Sequence, residues 1–173
     1  MGPMGSRGIR VLWAAALIGA ALLAAPAAQA QDDTIVGKAF VVDANVLTIK
    51  GKKVRLFGID APDRKQSCTS EKGGSYPCGV RAANALDMMV RGKEVRCEPR
   101  GIGADHLVLA TCSLAGLDLA SGMVEAGWAT ANTLFAPQYA ATQDAAKTAK
   151  AGLWQGEFQP PAEWRAEHND VKG

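Results

Sequence analysis

The sequence predicts an α+β fold, a small five-stranded barrel with about three helices packed outside it. Two observations predict the strands: a β-branched, apolar stretch at residues 34–59 and two strand-like runs near residues 95–98 and 107–114. A third observation predicts the helices, because apolar residues recur at helical spacing in three other segments. With 173 residues, 48% of them hydrophobic and 21% charged, the chain has the composition of one globular domain and not of a disordered or fibrous protein.

Turn residues divide the first stretch into a three-stranded meander. Asp43-Ala44-Asn45 and Gly51-Lys52 interrupt residues 34–59, and such small or polar residues are typical of the turns between antiparallel strands. Residues 60–76 contain Pro62 and the pair Gly73-Gly74, so this polar segment is predicted to be a loop.

Three segments show helical patterns. Ala83, Leu86 and Val90 lie at helical spacing before Gly92, and a similar pattern from Leu119 ends near Gly127. Residues 137–152 are rich in alanine, with lysines late in the segment, where cations favour a helix C-terminus. Residues 155–173 are predicted to form an irregular tail.

The first 30 residues have the pattern of a signal peptide. Arg7 and Arg10 precede an apolar stretch at residues 11–25, and the small-residue sequence Ala28-Gln29-Ala30 suits a cleavage site. The apolar stretch is shorter than the roughly 20 residues that span a bilayer, and an uncleaved membrane anchor is the alternative. We therefore expect an exported protein, either periplasmic or extracellular, with its domain at residues 31–154.

The charge balance of the remaining chain is neutral. Without the two leader arginines, the 19 basic residues fall to 17 and equal the 17 acidic residues. Clustered Lys and Arg supply most of the non-specific affinity for nucleic acid. The balance therefore argues against a strongly cationic nucleic-acid binder, although Lys50, Lys52, Lys53 and Arg55 form a local basic hairpin.

Four cysteines in an exported domain predict two disulfides. Cys68, Cys78, Cys97 and Cys112 allow three pairings. A Cys97–Cys112 bridge across the predicted hairpin is compatible with the strand pattern and leaves Cys68 and Cys78 to close a loop. A zinc site is the less favoured alternative, because the cysteine spacings are long and His106 and His168 lie far apart in the sequence.

Two motifs carry a resemblance to a known family. The segment Val41-Val42-Asp43-Ala44-Asn45-Val46 is followed by Val54-Arg55-Leu56-Phe57-Gly58-Ile59-Asp60-Ala61-Pro62-Asp63. Together with Cys78-Gly79, residues 95–112 and 124–129, and Gly152-Leu153-Trp154, these motifs resemble the thermonucleases, the staphylococcal-nuclease-like proteins. The resemblance covers almost the whole chain after the leader.

The resemblance implies an OB-type barrel and, in active members, calcium-dependent cleavage of nucleic-acid phosphodiester bonds. Calcium prefers oxygen ligands, a nearby acid assists the attacking water, and two arginines stabilise charge on the phosphate. Carried over by position, Asp60 and Asn45 are the candidate metal ligands together with the Ala61 carbonyl. Arg55 matches the first arginine, and Asp63 lies at the water-activating position.

Four departures from the family pattern predict impaired catalysis. Asn45 is an amide where the family has a carboxylate, Ala44 replaces the turn glycine, and Asp63 is one methylene shorter than the usual Glu. Leu107 lies where the second arginine is expected, and loss of one such donor typically costs about 100-fold to 1,000-fold in rate. Thr133 and Phe135 occupy the positions of two nucleotide-contacting tyrosines.

Two functions remain open from the sequence. The favoured hypothesis is an exported binding module with lost or strongly reduced phosphodiesterase activity, for an unknown protein or polymer ligand. The alternative is an active calcium-dependent nuclease that hydrolyses DNA or RNA. Each candidate residue also has an ordinary structural interpretation: Asn45 as a turn residue, Arg55 as an ion-pair partner and His106 as a solvated loop side chain.

Overall fold

The five longest barrel strands form a closed sheet in the computed structural model, which describes residues 1–2 and 33–169. The strands in chain order are β1 (Ile35–Asp43), β2 (Val46–Ile49), β3 (Lys52–Leu56), β4 (Ile59–Asp60), β5 (Cys68–Ser70), β6 (Ser75–Tyr76), β7 (Glu94–Ile102), β8 (Val108–Leu114), β9 (Leu117–Asp118), β10 (Thr130–Ala131) and β11 (Gly156–Glu157). The α-helices are α1 (Cys78–Val90), α2 (Leu119–Glu125), α3 (Ala140–Thr148) and α4 (Pro161–Asn169). Two short 3₁₀ helices lie at Pro137–Tyr139 and Gly152–Gln155.

The barrel closes through one parallel strand pair. β1, β2 and β3 form the predicted antiparallel meander, and β7 pairs with both β1 and β8 in antiparallel fashion. β3 then pairs with β8 in parallel, with Arg55 opposite Leu109. This mixed five-stranded barrel with helices outside it confirms the predicted OB-type α+β fold, although the described residues form four α-helices instead of about three.

The barrel interior is filled by alternating apolar side chains. Leu47, Ile49, Val54, Leu56 and Val95 are fully or almost fully buried on the inner faces of their strands. Polar residues occupy the other positions of β3, where Lys53 is exposed and Arg55 is partly exposed, as expected for a sheet with one buried face. The hydrophobic core therefore holds the strands whose ends carry the candidate site.

Two of the predicted helices pack on this core. α1 buries a face of small and aliphatic residues that includes Ala82, Leu86 and Val90. Asp118 caps α2 by accepting hydrogen bonds from the backbone amides of Ala120 and Ser121, and it also accepts one from the Tyr139 hydroxyl at 2.6 Å. The cap ties α2 to the segment that leads into α3.

Both disulfides are present, in the pairing that the hairpin favoured. Cys97 and Cys112 face each other across β7 and β8, and Cys68 is bonded to Cys78 at the start of α1. No cysteine is left free in the described residues. The structure thus agrees with the oxidising environment that disulfides require.

The segment after residue 154 is not irregular, which corrects the sequence prediction. β11 pairs with β5, and α4 follows from Pro161. A second small core made by Cys68, Tyr76, Cys78 and Leu153 supports this region, with Phe158 packed against it. The sequence prediction did not use Pro161 as a helix-start signal, although proline is well suited to the first position of a helix.

Residues 60–76, predicted as a loop, contain two short strands, β5 and β6, and the last residue of β4. β5 and β6 pair with each other, and β4 pairs with β10. The predicted signal peptide lies almost wholly outside the described residues. Among the residues described, no helix has the length and apolar character needed to cross a membrane.

Gly79 allows α1 to approach the loop that leads out of β4. A Cβ at this position would lie 1.8 Å from the carbonyl oxygen of Asp63, and the Gly79 amide donates to the Gln66 carbonyl at 3.1 Å. Any side chain at this position must displace the loop backbone. Because Gly79 has no side chain, residues 63–66 can pack directly against α1.

Replacing Gly79 with Ala should destabilise the protein and shift the loop that carries Asp63. We expect the free energy of unfolding to fall by about 1 to 3 kcal/mol, the usual cost of overpacking. Chemical denaturation of the two proteins measures this loss. Gly74→Ala is the matched control, because the nearest atom to its added Cβ lies 3.5 Å away; equal stability of both variants would contradict the close-packing argument.

Candidate functional site

Four of the predicted site residues line one open cleft of about 1070 Å³ on the barrel. Asn45, Arg55, Asp60 and Asp63 all line it. They come from the β1–β2 turn, β3, β4 and the loop after β4. The structure therefore brings together four of the residues that the sequence singled out, and a cleft of this size suits a small ligand or part of a polymer.

Arg55 is held by two partners inside the chain. Its Nε and one terminal nitrogen donate to Asp105 Oδ2 at 3.0 and 2.5 Å. Its other terminal nitrogen donates to Asn45 Oδ1 at 2.9 Å. Three of the five N–H donors of this guanidinium are therefore already used by a carboxylate and an amide oxygen, which leaves two for a phosphate.

Asp105 is adapted to this ion pair. Partial burial raises the pKa of Asp105, but hydrogen bonds from Arg55 and from the Leu107 amide, with the charge of Arg55, outweigh burial and leave that pKa below its ordinary value. The two side chains are 25% and 38% exposed. The pair is therefore partly screened by solvent, and its contribution to stability is modest.

Asn45 is buried and turned toward Arg55. It is 3% exposed, and its Nδ2 has no hydrogen-bond partner in the described structure. The neighbouring Asp43 accepts a hydrogen bond from the Ala44 amide at 2.8 Å. Burial raises the pKa of Asp43, with a further contribution from the charge of Asp63, and this outweighs the hydrogen bond from Ala44.

Asp60 is paired with an arginine from the opposite end of the chain. One terminal nitrogen of Arg165, on α4, contacts both Asp60 carboxylate oxygens, at 2.8 and 2.7 Å. The other terminal nitrogen donates to the Ala61 carbonyl at 3.3 Å. Both side chains are about three-quarters buried, at 28% and 25% exposed.

The three candidate metal ligands do not fit a calcium ion in this arrangement. Asp60 and the Ala61 carbonyl accept hydrogen bonds from Arg165, and Asn45 Oδ1 accepts one from Arg55. Calcium needs six to eight oxygen ligands and gains affinity from carboxylates. Here the ligand oxygens face guanidinium groups, whose positive charge opposes a divalent cation in the same place.

Asp63 lies in the cleft, but its carboxylate supports the local backbone. Its Oδ1 accepts a hydrogen bond from the Lys65 amide at 2.9 Å, and its carbonyl accepts one from the Gln66 amide. This is a turn-forming role typical of Asp. The predicted water-activating residue is thus present at the cleft and engaged in a turn.

The remaining predicted positions are less central. The lining of the cleft includes Gly103, Ala104 and Asp105, whereas Leu107 is not part of it. Phe135 lies on the cleft and is 65% exposed. His106 is an exposed turn residue with φ 61°.

The basic hairpin is divided between two surfaces. Lys50 and Lys52 line a separate cleft of about 530 Å³ together with residues of β1 and β7, whereas Arg55 faces the main cleft. Lys50 and Lys52 therefore do not line the candidate site together with Arg55.

Three charged residues of the cleft were missed by the sequence reasoning. Arg165 was assigned to an irregular tail, and Asp105 was considered only as part of a turn. Arg100 also lines the cleft, with its Nε donating to Thr111 Oγ1 at 3.0 Å. The helix-start signal of Pro161 could have indicated α4, but the contact between Arg165 and Asp60 spans 105 positions and has no local signal.

The chain is thus an OB-type barrel with a cleft beside β3 and β4 that is lined by aspartates and arginines. The family model of the staphylococcal nuclease homologues matches residues 53–156. The chain is also 34% identical over 128 residues to the succinoglycan biosynthesis protein ExoI of Rhizobium meliloti strain 1021, an alignment that covers 72% of this chain and 67% of that protein. The chain therefore belongs to the staphylococcal nuclease homologue family.

Replacing Asp105 with Asn should remove a pH-dependent part of the stability. A carboxylate whose pKa is lowered by folding stabilises the protein above its unfolded pKa, and that stability is lost as the pH falls through the folded pKa. We therefore expect the free energy of unfolding of the wild type to exceed that of Asp105→Asn by up to about 1 kcal/mol at neutral pH. This difference should disappear as the pH falls below about 4.

Denaturant unfolding between pH 7 and pH 3 measures this difference. Asp144→Asn is the control, because it removes a carboxylate from an exposed pair with Lys147. Its stability curve should follow that of wild type. A difference between wild type and Asp105→Asn that stays constant over the whole pH range would contradict the ion-pair assignment.

Proposed function

We propose that this protein is an exported member of the family whose cleft binds a ligand without calcium-dependent hydrolysis of phosphodiesters. The observation that carries the proposal is the engagement of Arg55 by Asp105 and Asn45. Transition-state stabilisation requires donors aimed at the place where negative charge develops. A guanidinium already held by a carboxylate of its own chain is poorly available for that role.

The loss of the second arginine supports the same proposal. Leu107 has no donor in its side chain, and its backbone amide is directed to Asp105 at 3.2 Å. In phosphoryl transfer, a transition-state arginine can supply roughly 1,000-fold to 100,000-fold in rate. With Leu107 in its place and Arg55 engaged, the family's two phosphate-binding arginines are lost or occupied.

The charge balance of the cleft supports a ligand other than a long polyanion. Three arginines, Arg55, Arg100 and Arg165, are matched by three aspartates, Asp60, Asp63 and Asp105. Strong binding to a nucleic-acid backbone depends on unbalanced positive charge.

An active calcium-dependent nuclease is the alternative, and one observation favours it. Arg100 and Arg165 line the same cleft as Asp60 and Asp63, so other guanidinium groups are present near the candidate phosphate position. On this alternative, one of them replaces the missing second arginine and the ion pair to Asp60 opens when substrate and calcium bind.

The purified, disulfide-bonded protein should release no acid-soluble nucleotide from DNA or RNA above background. The assay is run with calcium and with a chelator, and an Asp60→Ala variant serves as the matched control. We expect wild type and Asp60→Ala to be indistinguishable. Hydrolysis that requires calcium and is lost in Asp60→Ala would establish the alternative and refute the proposal.

Restoring two family residues tests whether the cleft is remodelled or only lacks charges. The double variant Asn45→Asp with Leu107→Arg supplies the missing carboxylate and guanidinium. Because Arg55 and Asp60 keep their partners Asp105 and Arg165, we expect activity to stay at background in the same assay. A steep calcium-dependent gain would show that the two replaced residues alone account for the loss.

A further inference from the structure

We infer that Arg165 is a built-in cation at the Asp60 site, so that a helix of the chain itself occupies the position at which family resemblance predicts calcium. The inference rests on the proposed function, because both concern the same cleft, but it concerns metal binding and not hydrolysis. Calcium binding tests the inference, whereas nucleotide release tests the proposed function. The failure of one can therefore be distinguished from the failure of the other.

The contacts of Arg165 match the ligand set of the expected ion. Its guanidinium reaches both carboxylate oxygens of Asp60 and the carbonyl of Ala61, at 2.8, 2.7 and 3.3 Å. These are the carboxylate and the neighbouring carbonyl predicted as metal ligands from the sequence. A planar guanidinium with fixed donors can satisfy several oxygen acceptors at once without a metal.

Other contacts position α4 at the cleft. The buried Gln66 side chain donates to the Gln159 carbonyl at 2.7 Å, and β11 pairs with β5 just before this point. Pro161, at the start of α4, is buried. Several contacts besides the ion pair therefore hold α4 against the loop that follows β4, and Arg165 lies one turn into the helix.

The charge of Arg165 should exclude a divalent cation from the same oxygens. Two cations of the same sign within a few ångströms repel each other, most strongly where solvent is partly excluded. Asp60 can therefore hold either the guanidinium or a divalent ion, but not both at these distances. Calcium binding to wild type must first displace Arg165, which lowers the apparent affinity.

Replacing Arg165 with Gln should create measurable calcium affinity. We expect the variant to bind calcium with a dissociation constant of about 1 mM or tighter, as extracellular calcium modules do. Wild type should bind at least about tenfold more weakly, a difference of about 1.4 kcal/mol. Isothermal titration calorimetry measures the affinity, and a calcium-dependent rise in the unfolding temperature of the variant gives a second readout.

Three further variants assign the effect to the charge at Asp60. Arg165→Lys keeps a cation and should bind calcium as weakly as wild type. Arg91→Gln removes the same charge from an exposed pair with Asp87 on α1 and should also behave as wild type. Adding Asp60→Asn to Arg165→Gln should abolish the gained affinity, because the binding carboxylate is then removed.

Each result decides the inference. Tighter calcium binding in Arg165→Gln that depends on Asp60 supports it. Equal binding by wild type and Arg165→Gln, or no binding by a variant whose circular dichroism shows the native fold, would overturn it. A gain that persists after Asp60→Asn would place the ion elsewhere and would overturn it as well.

Discussion

The parallel pairing of β3 with β8 is the constraint on which the cleft depends. It closes the barrel and sets Arg55 opposite Leu109, so that the turn before β8 lies beside the guanidinium. Asp105, in that turn, then reaches Arg55. Barrel closure, which is driven by burial of apolar residues such as Val54 and Leu56, thus also determines which charges meet at the surface.

The cleft is organised by two ion pairs that join residues distant in sequence. Arg55 pairs with Asp105, and Asp60 pairs with Arg165. The family resemblance assigns Arg55 to phosphate binding and Asp60 to metal binding, and each ion pair neutralises the charge of one of these groups. Both groups already have partners of opposite charge in this chain, and the proposed recognition without hydrolysis rests on that arrangement.

Features that depend on residues close together in the sequence could be predicted, whereas contacts between distant residues could not. The barrel strands, the α1 and α2 helices and the hairpin disulfide follow from periodicity and from spacing of residues such as Leu86 and Cys97. Asn45 and Asp60 were placed at the cleft through short motifs. The pairing of Asp60 with Arg165 arises only when the C-terminal segment folds back onto the barrel, and no local pattern encodes a contact of that range.

The Cys68–Cys78 bond does not line the cleft, but it supports the segment that leads to Arg165. It belongs to the small core that holds β5, and β5 is the strand on which β11 docks before the chain continues into α4. Thiol reductants added during purification would therefore loosen the support of Arg165 and alter the charge next to Asp60. Oxidised and reduced preparations of the protein should therefore differ in the charges that their clefts present to a ligand.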